Sequence, residues 1–422
     1  RVAPSWGAAV RTEADAEGRW CTTLRTPAAS FEKRTIRIGD GDGEPVVLRN
    51  VLIGEVWLCS GQSNMEIPVQ GGRDCPIEHS LEIIAESAQY PDVRLFSVKI
   101  DGGLTPREDV TGAWCEASPA TVKTFSAVGY LFGRNLRRAL GVPVGIINSS
   151  CGGTWIEAWF PAELQKHFGD FDPASLPTRE GQSGMTTVEI LYNGMIYPLH
   201  NFAIKGFCWY QGCTNVGRST YYAEKMVAMI DHWRDLWGKP FYYVEIAPVE
   251  NGEQNVDCAL VREQQARVME MTDNVGMVST NDLVYDYERW NVHPSQKEPI
   301  AQRLAYWALS RDYGYGDAIK TIGPRYKSME VLEGRQRLRL PRQGRDRGLR
   351  TGRGRREVPP GPRRASSSRS HGALRLDLCR GRTQIRALQL QELQHRASVG
   401  RLRAARDSVP YGRFRRIEPV RR

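Results

Sequence analysis

Ser63, the pair Gly152–Gly153, Asn215 and His293 supply, in chain order, a hydroxyl nucleophile, backbone and amide donors, and a base. A serine hydroxyl is a weak nucleophile at neutral pH and needs an imidazole within hydrogen-bond reach to accept its proton. The negative charge that then develops on a carbonyl oxygen needs donors already in place, which the N–H groups of Ser63 and Gly153 and the side-chain amide of Asn215 would provide. One such donor is typically worth about 2.7 to 4 kcal/mol, so loss of Asn215 is expected to lower turnover without unfolding the protein. The chemistry indicated is acyl transfer to serine. Taken singly, each residue has a plainer reading: a turn hydroxyl for Ser63, a tight turn for the glycines, an Asx turn for Asn215, a helix cap for His293. Their joint order on successive loops carries the information.

Those loops need a frame. VLIGEVWLC, VPVGIINSS, AIKGFCWYQG, KPFYYVEIAPV and VGMVST read as buried strands. VGYLFGRNLRRAL, YYAEKMVAMIDHWRDLW and KEPIAQRLAYWALSR place apolar residues at helical spacing between them. Such alternation predicts an α/β fold with a parallel sheet covered by helices on both faces, and ligands at the carboxyl ends of the strands. Gly61-Gln62-Ser63-Asn64, Ser149 to Thr154 and Gln211 to Asn215 follow the first three strands, and Trp290 to Pro294 precedes a helix. Residues 1–50 alternate β-prone runs with turns, predicting a hairpin around Gly39 to Gly43 and part of a small β-sandwich whose beginning is missing.

GEVWLCSGQSNMEIPV, SSCGGTWIEAW, IKGFCWYQGCTN and NVHPSQKEPIAQRLAYWAL resemble the motif blocks of the sialate O-acetylesterase family of SGNH hydrolases over about residues 15–333. The resemblance implies a flavodoxin-like three-layer αβα SGNH hydrolase domain, placed at 51–318, with flanking β-sandwich segments and the start of a C-terminal β segment at 319–333. It also implies hydrolysis of acetyl esters on sugars with no metal or other cofactor, in a secreted or periplasmic setting. Ser63 matches the nucleophile, His293 the base, and Ser63, Gly153 and Asn215 the oxyanion hole. Gln62, Trp155, Trp209 and Gln211 are the expected substrate-binding residues, with Trp159 and Tyr210 as further ring faces; the alternative for Trp209 and Tyr210 is core.

Two positions depart from the family pattern. Cys213 stands where many relatives have Glu, and Asn291 where many have Asp two residues before the histidine. A carboxylate there fixes the imidazole tautomer and stabilises its charged form. Asp282 is the first substitute expected, with Asp286, Glu288, Asn291 itself, or a Ser–His dyad as alternatives.

The net charge of +10 averages two unlike segments. Residues 334–422 hold 26 arginines, no lysine and 6 acidic residues, net +20, whereas 1–333 hold 32 basic and 42 acidic residues, net −10. With no sustained period, this segment is expected to be disordered. A nucleic-acid-binding arm is the other reading its arginines admit, but a slip of one base near residues 331–335 accounts for it better. The shifted frame lets VPYGRFRRIEPVR be read as FRTDDFGGLNPFG and restores lysines and acids elsewhere, like the C-terminal β segment of the family. Sequencing the coding DNA on both strands checks this, and an intact frame overturns it. The partner that the resemblance implies is an acetylated sugar or glycan, and no nucleic acid or membrane is expected. No run of 18 apolar residues spans a bilayer, and nine cysteines without a CxxC pair argue against zinc.

Overall fold

The computed structural model describes residues 1–422 except 17, 42, 179–186, 251–254, 324–327, 333–334, 340–372 and 379–422. Up to residue 323 the described residues form eleven strands: β1 Val2–Pro4, β2 Trp20–Arg25, β3 Ser30–Ile38, β4 Val46–Ile53, β5 Glu55–Gly61, β6 Val93–Ser97, β7 Trp114–Glu116, β8 Val144–Ser150, β9 Gly206–Tyr210, β10 Phe241–Val244 and β11 Val275–Val278. The last seven form one sheet in the order β11-β10-β9-β5-β8-β6-β7, parallel except for β7. The strands that precede the motif loops follow the order β8-β5-β9-β10-β11, which is the flavodoxin-like 2-1-3-4-5 arrangement, with β6 and β7 added at one edge. In that arrangement the connections that follow the neighbouring strands β5 and β9 run to opposite faces of the sheet, through the helices Ala127–Leu140 and Tyr222–Trp237. The loops after β5, β8 and β9 consequently meet at one switch point.

Helices cover both faces because successive strand residues point to opposite sides. Trp57 and Cys59 of β5 face a core shared with the helices Ala127–Leu140 and Lys297–Asp312, and Leu58 between them faces the core of Tyr222–Trp237 and Asn255–Met271. The buried Ser126 locks the first layer to the site: its hydroxyl donates to Met65 O (2.6 Å) and accepts from Gly129 N (2.9 Å), capping the helix that follows. At the end of β5, Gly61 has φ +134°, and a Cβ there would lie 2.2 Å from the Tyr210 carbonyl oxygen. Only glycine lets the chain turn there into Gln62 and Ser63.

The N-terminal region forms a three-stranded antiparallel sheet, β1-β3-β4, with the expected hairpin joining Ile38 to Val46 and its own small core of Val2, Leu24, Ile36, Leu48 and Val51. Two stretches of the Arg-rich segment are strands, which corrects the expectation that 334–422 lacks regular structure throughout. Arg335–Arg339 pairs antiparallel with Ser328–Leu332, and Ala373–Leu378 with β2. Leu374, Leu376 and Leu378 alternate with Arg375 and Asp377, a local period of two inside an otherwise aperiodic stretch. The rest of that segment lies outside the described residues, as does any structural bearing on the frame slip.

Candidate active site

Ser63 opens a single helical turn, Ser63–Glu66, directly after β5. His293 lies on the loop before the helix Lys297–Asp312, and its Nε2 is 2.8 Å from Ser63 Oγ. The ring is partly buried, and burial first and the charge of Lys297 second push its pKa below the usual imidazole value. At pH 7 the ring is therefore neutral, the form that can accept a proton.

The glycine loop after β8 is held against this turn. Glu66 Oε2 accepts from Gly152 N (2.6 Å), and Gly153 follows with φ +69°. Burial raises the Glu66 pKa, partly offset by that N–H. Among the described residues the N–H of Gly153 has no acceptor. Asn215, in the loop after β9, is fully buried and gripped on three sides: its Oδ1 accepts from Ile156 N (3.0 Å) and Gln211 Nε2 (2.7 Å), and its Nδ2 donates to Glu157 Oε2 (2.9 Å). One amide hydrogen of Asn215 is left over. Glu157 in turn accepts from the buried ammonium of Lys225 (2.9 Å), which also reaches Asp170 (2.6 Å).

Beside this network a cleft of about 260 Å3 is lined by Trp155, Glu157, Asp170, Lys225 and Arg218. The Arg218 guanidinium lies 4.0 Å over the Trp155 ring.

Residues 53–310 match the profile of a family described as "Carbohydrate esterase, sialic acid-specific acetylesterase". The chain is 31% identical over 320 residues to the sialate O-acetylesterase of Homo sapiens, covering 69% of this chain and 60% of that protein. This chain belongs to that family of carbohydrate esterases. It is also 29% identical over 367 residues to the Rattus norvegicus sialate O-acetylesterase, covering 74% of this chain and 66% of that one. The chain thus spans about 60% of the length of the human relative. Among solved structures, a carbohydrate acetylesterase from Xanthomonas citri superimposes with a TM-score of 0.68 at 32% identity, covering 81% of this chain and 74% of that one.

Several residues expected to serve the site directly are placed otherwise. Asp282 is exposed and gives both carboxylate oxygens to Arg303 (2.8 and 2.5 Å), which holds its pKa low. It makes no hydrogen bond to His293, so the role of orienting acid is corrected. Asp286 is exposed, Glu288 accepts from the N–H groups of Ser295 and Tyr285, and Asn291 Oδ1 accepts from the backbone N of His293 (2.9 Å) while its Nδ2 donates to Asp74 O (3.0 Å). Asn291 shapes the base loop but does not hold the ring. Among the described residues, no carboxylate hydrogen-bonds the imidazole. Asp282→Ala is accordingly expected to keep kcat/KM within about 2-fold of the parent in an ester hydrolysis assay, since the exposed carboxylate is engaged with Arg303 and makes no hydrogen bond to the imidazole.

Trp209 is 0% exposed and packs edge-on between Trp159 and Trp233, each with ring centroids 5.7 Å away. It is core, and its expected contact with substrate is corrected. Gln211 and Gln62 are also buried, and their amides are spent on the protein. Gln211 Nε2 donates to Thr154 O and Asn215 Oδ1 while its Oε1 accepts from Tyr222; Gln62 Oε1 accepts from Gly212 N (2.9 Å) and its Nε2 donates to Thr214 Oγ1 (3.1 Å). Both tie loops together, so they are corrected from binding to positioning. Trp155 alone of the four expected binding residues borders open space.

The sequence alone assigns no role to Asn64, within the loop set after the first strand, nor to Glu66, Glu157, Lys225 and Lys297. For the two lysines a signal existed. Lys225 sits three residues after Tyr222 and four before Met229, and Lys297 three and four before Ile300 and Ala301, so each falls on the apolar stripe of its helix.

Proposed function

We propose that this chain is a serine esterase that removes O-acetyl groups from carbohydrates through an acyl-enzyme. The observation that carries the reading is the 2.8 Å approach of His293 Nε2 to Ser63 Oγ at the switch point of the sheet. His293 takes the Ser63 proton as Oγ bonds to the acetyl carbonyl carbon. The carbonyl oxygen becomes an oxyanion facing the N–H groups of Ser63 and Gly153 and the spare amide hydrogen of Asn215. The imidazolium then returns the proton to the sugar oxygen as the C–O bond breaks, leaving acetyl-Ser63 and a free sugar hydroxyl. Water, deprotonated by His293, attacks the acyl ester; acetate leaves and the serine is regenerated.

Trp155 and Arg218, lining the cleft beside the Asn215 network, are the residues we assign to the sugar. Acetylated sialic acid is the first candidate, after the name of the human relative, and a plant polysaccharide is the second; the Xanthomonas citri relative's name, carbohydrate acetylesterase, leaves the sugar open. Hydrolysis of p-nitrophenyl acetate that is abolished by Ser63→Ala tests the reading, and acetate release from acetylated sialic acid beside acetylated xylan decides the sugar. Sugar binding without turnover would overturn it.

A further inference from the structure

We propose that Asn64 and Lys297 are positioning residues for the Ser63–His293 pair, and that the buried ammonium of Lys297 is the charge acting on the base. This rests on the esterase reading above.

Asn64 adjoins the nucleophile in the same turn, and its side chain reaches across to the base loop. Its Nδ2 donates to the carbonyl of Val292, the residue before His293 (2.8 Å), and its Oδ1 accepts from Lys297 Nζ (2.6 Å). One amide thus ties the serine turn to both ends of the loop that holds the imidazole. Both Asn64 and Lys297 are 1% exposed. Lys297 opens the helix Lys297–Asp312, so the clamp also fixes where that helix begins.

A buried ammonium is costly unless paired, and among the described residues Lys297 forms no ion pair. Its hydrogen-bond acceptor is Asn64, and the Tyr210 ring lies 5.7 Å from Nζ. The titratable groups around it are Cys213, Glu288 and Cys75, and burial prevails over them, pushing its pKa down to about 7. Among the described residues, the groups that act on the His293 ring are Lys297, through its charge, and the Ser63 hydroxyl. A cation beside the ring opposes the imidazolium. It keeps the base neutral at lower pH, the reverse of what a carboxylate partner does. The sign follows: kcat/KM is expected to rise through an apparent pKa below the ordinary imidazole value of about 6.5, and removing the Lys297 charge moves that limb to higher pH.

The test uses the full chain and p-nitrophenyl acetate, with kcat, KM, pH profile and melting temperature measured for Lys297→Met and Asn64→Ala. Lys297→Met is expected to fold with an unchanged or higher Tm, to lose kcat about 100-fold at little change in KM, as misplacement by about 1 Å does, and to shift its acid limb upward. Asn64→Ala is expected to lose kcat similarly; because it also takes away the acceptor that steadies the Lys297 ammonium, its acid limb moves upward if it moves at all. Parental kcat in both variants, or a limb that stays put in Lys297→Met, overturns the proposal. Should Lys297→Met fail to fold, Asn64→Ala with parental kcat overturns it alone. Ser63→Ala run alongside separates the two readings: a fully active Ser63→Ala defeats the esterase assignment itself, while an inactive one beside normal clamp variants defeats only this inference.

Discussion

Ser63→Ala and His293→Ala are each expected to lower kcat for acetyl ester hydrolysis by about 10^6-fold, and the double variant to be scarcely worse than either. In the proposed mechanism the two side chains act as one unit across a single 2.8 Å contact. Without the hydroxyl there is nothing to acylate. Without the imidazole the hydroxyl keeps its proton, and the developing oxyanion finds its donors only when some other base serves. Non-additivity is the informative part. Two independent contributions would multiply, so a double variant several orders of magnitude below the singles would mean that the residues belong to different steps. Steady-state kinetics and trapping of acetyl-enzyme by rapid quench measure both. Folding is not at stake: both side chains are partly exposed at a loop cluster, and neither supports a core.

How far the sequence reached depended on whether the needed information was local. Trp57 and Cys59 on one face and Leu58 on the other follow from the period of a strand buried on both sides, and the loops that carry Ser63, Gly153 and Asn215 follow from where those strands end. The pairing of Asp282 was not local. Its partner, Arg303, lies 21 residues on, and its choice is set by how the helix Lys297–Asp312 packs against the loop. Trp209 was open for a related reason. A residue near the end of a strand can border either a ligand or a helix, and only the placement of Trp233 from the helix Tyr222–Trp237 decides for the core. The lysines at 225 and 297 show the opposite case. Their positions on apolar stripes were visible, but a polar residue in a stripe announces burial without naming its partner.

Asn215→Ala carries the second large effect, a loss of about 10^2- to 10^3-fold in kcat at nearly constant KM. Constancy of KM follows from the proposed role, in which the spare amide hydrogen meets the acetyl oxygen only once it bears charge. The surroundings add a cost that spacing alone did not reveal. Asn215 satisfies Ile156 N, Gln211 Nε2 and Glu157 Oε2 in a fully buried setting, and alanine leaves all three without it. A buried polar group stranded in this way costs about 1 to 3 kcal/mol, so this variant is expected to melt earlier than the parent, contrary to the expectation that only turnover would suffer. The two effects separate by temperature. Assayed well below its melting point, the variant is folded, and what remains of the rate loss is the donor's own contribution. A kcat that recovers to the parental value on cooling would mean that Asn215 only braces Ile156 and Glu157, and that the oxyanion is held by the backbone donors alone.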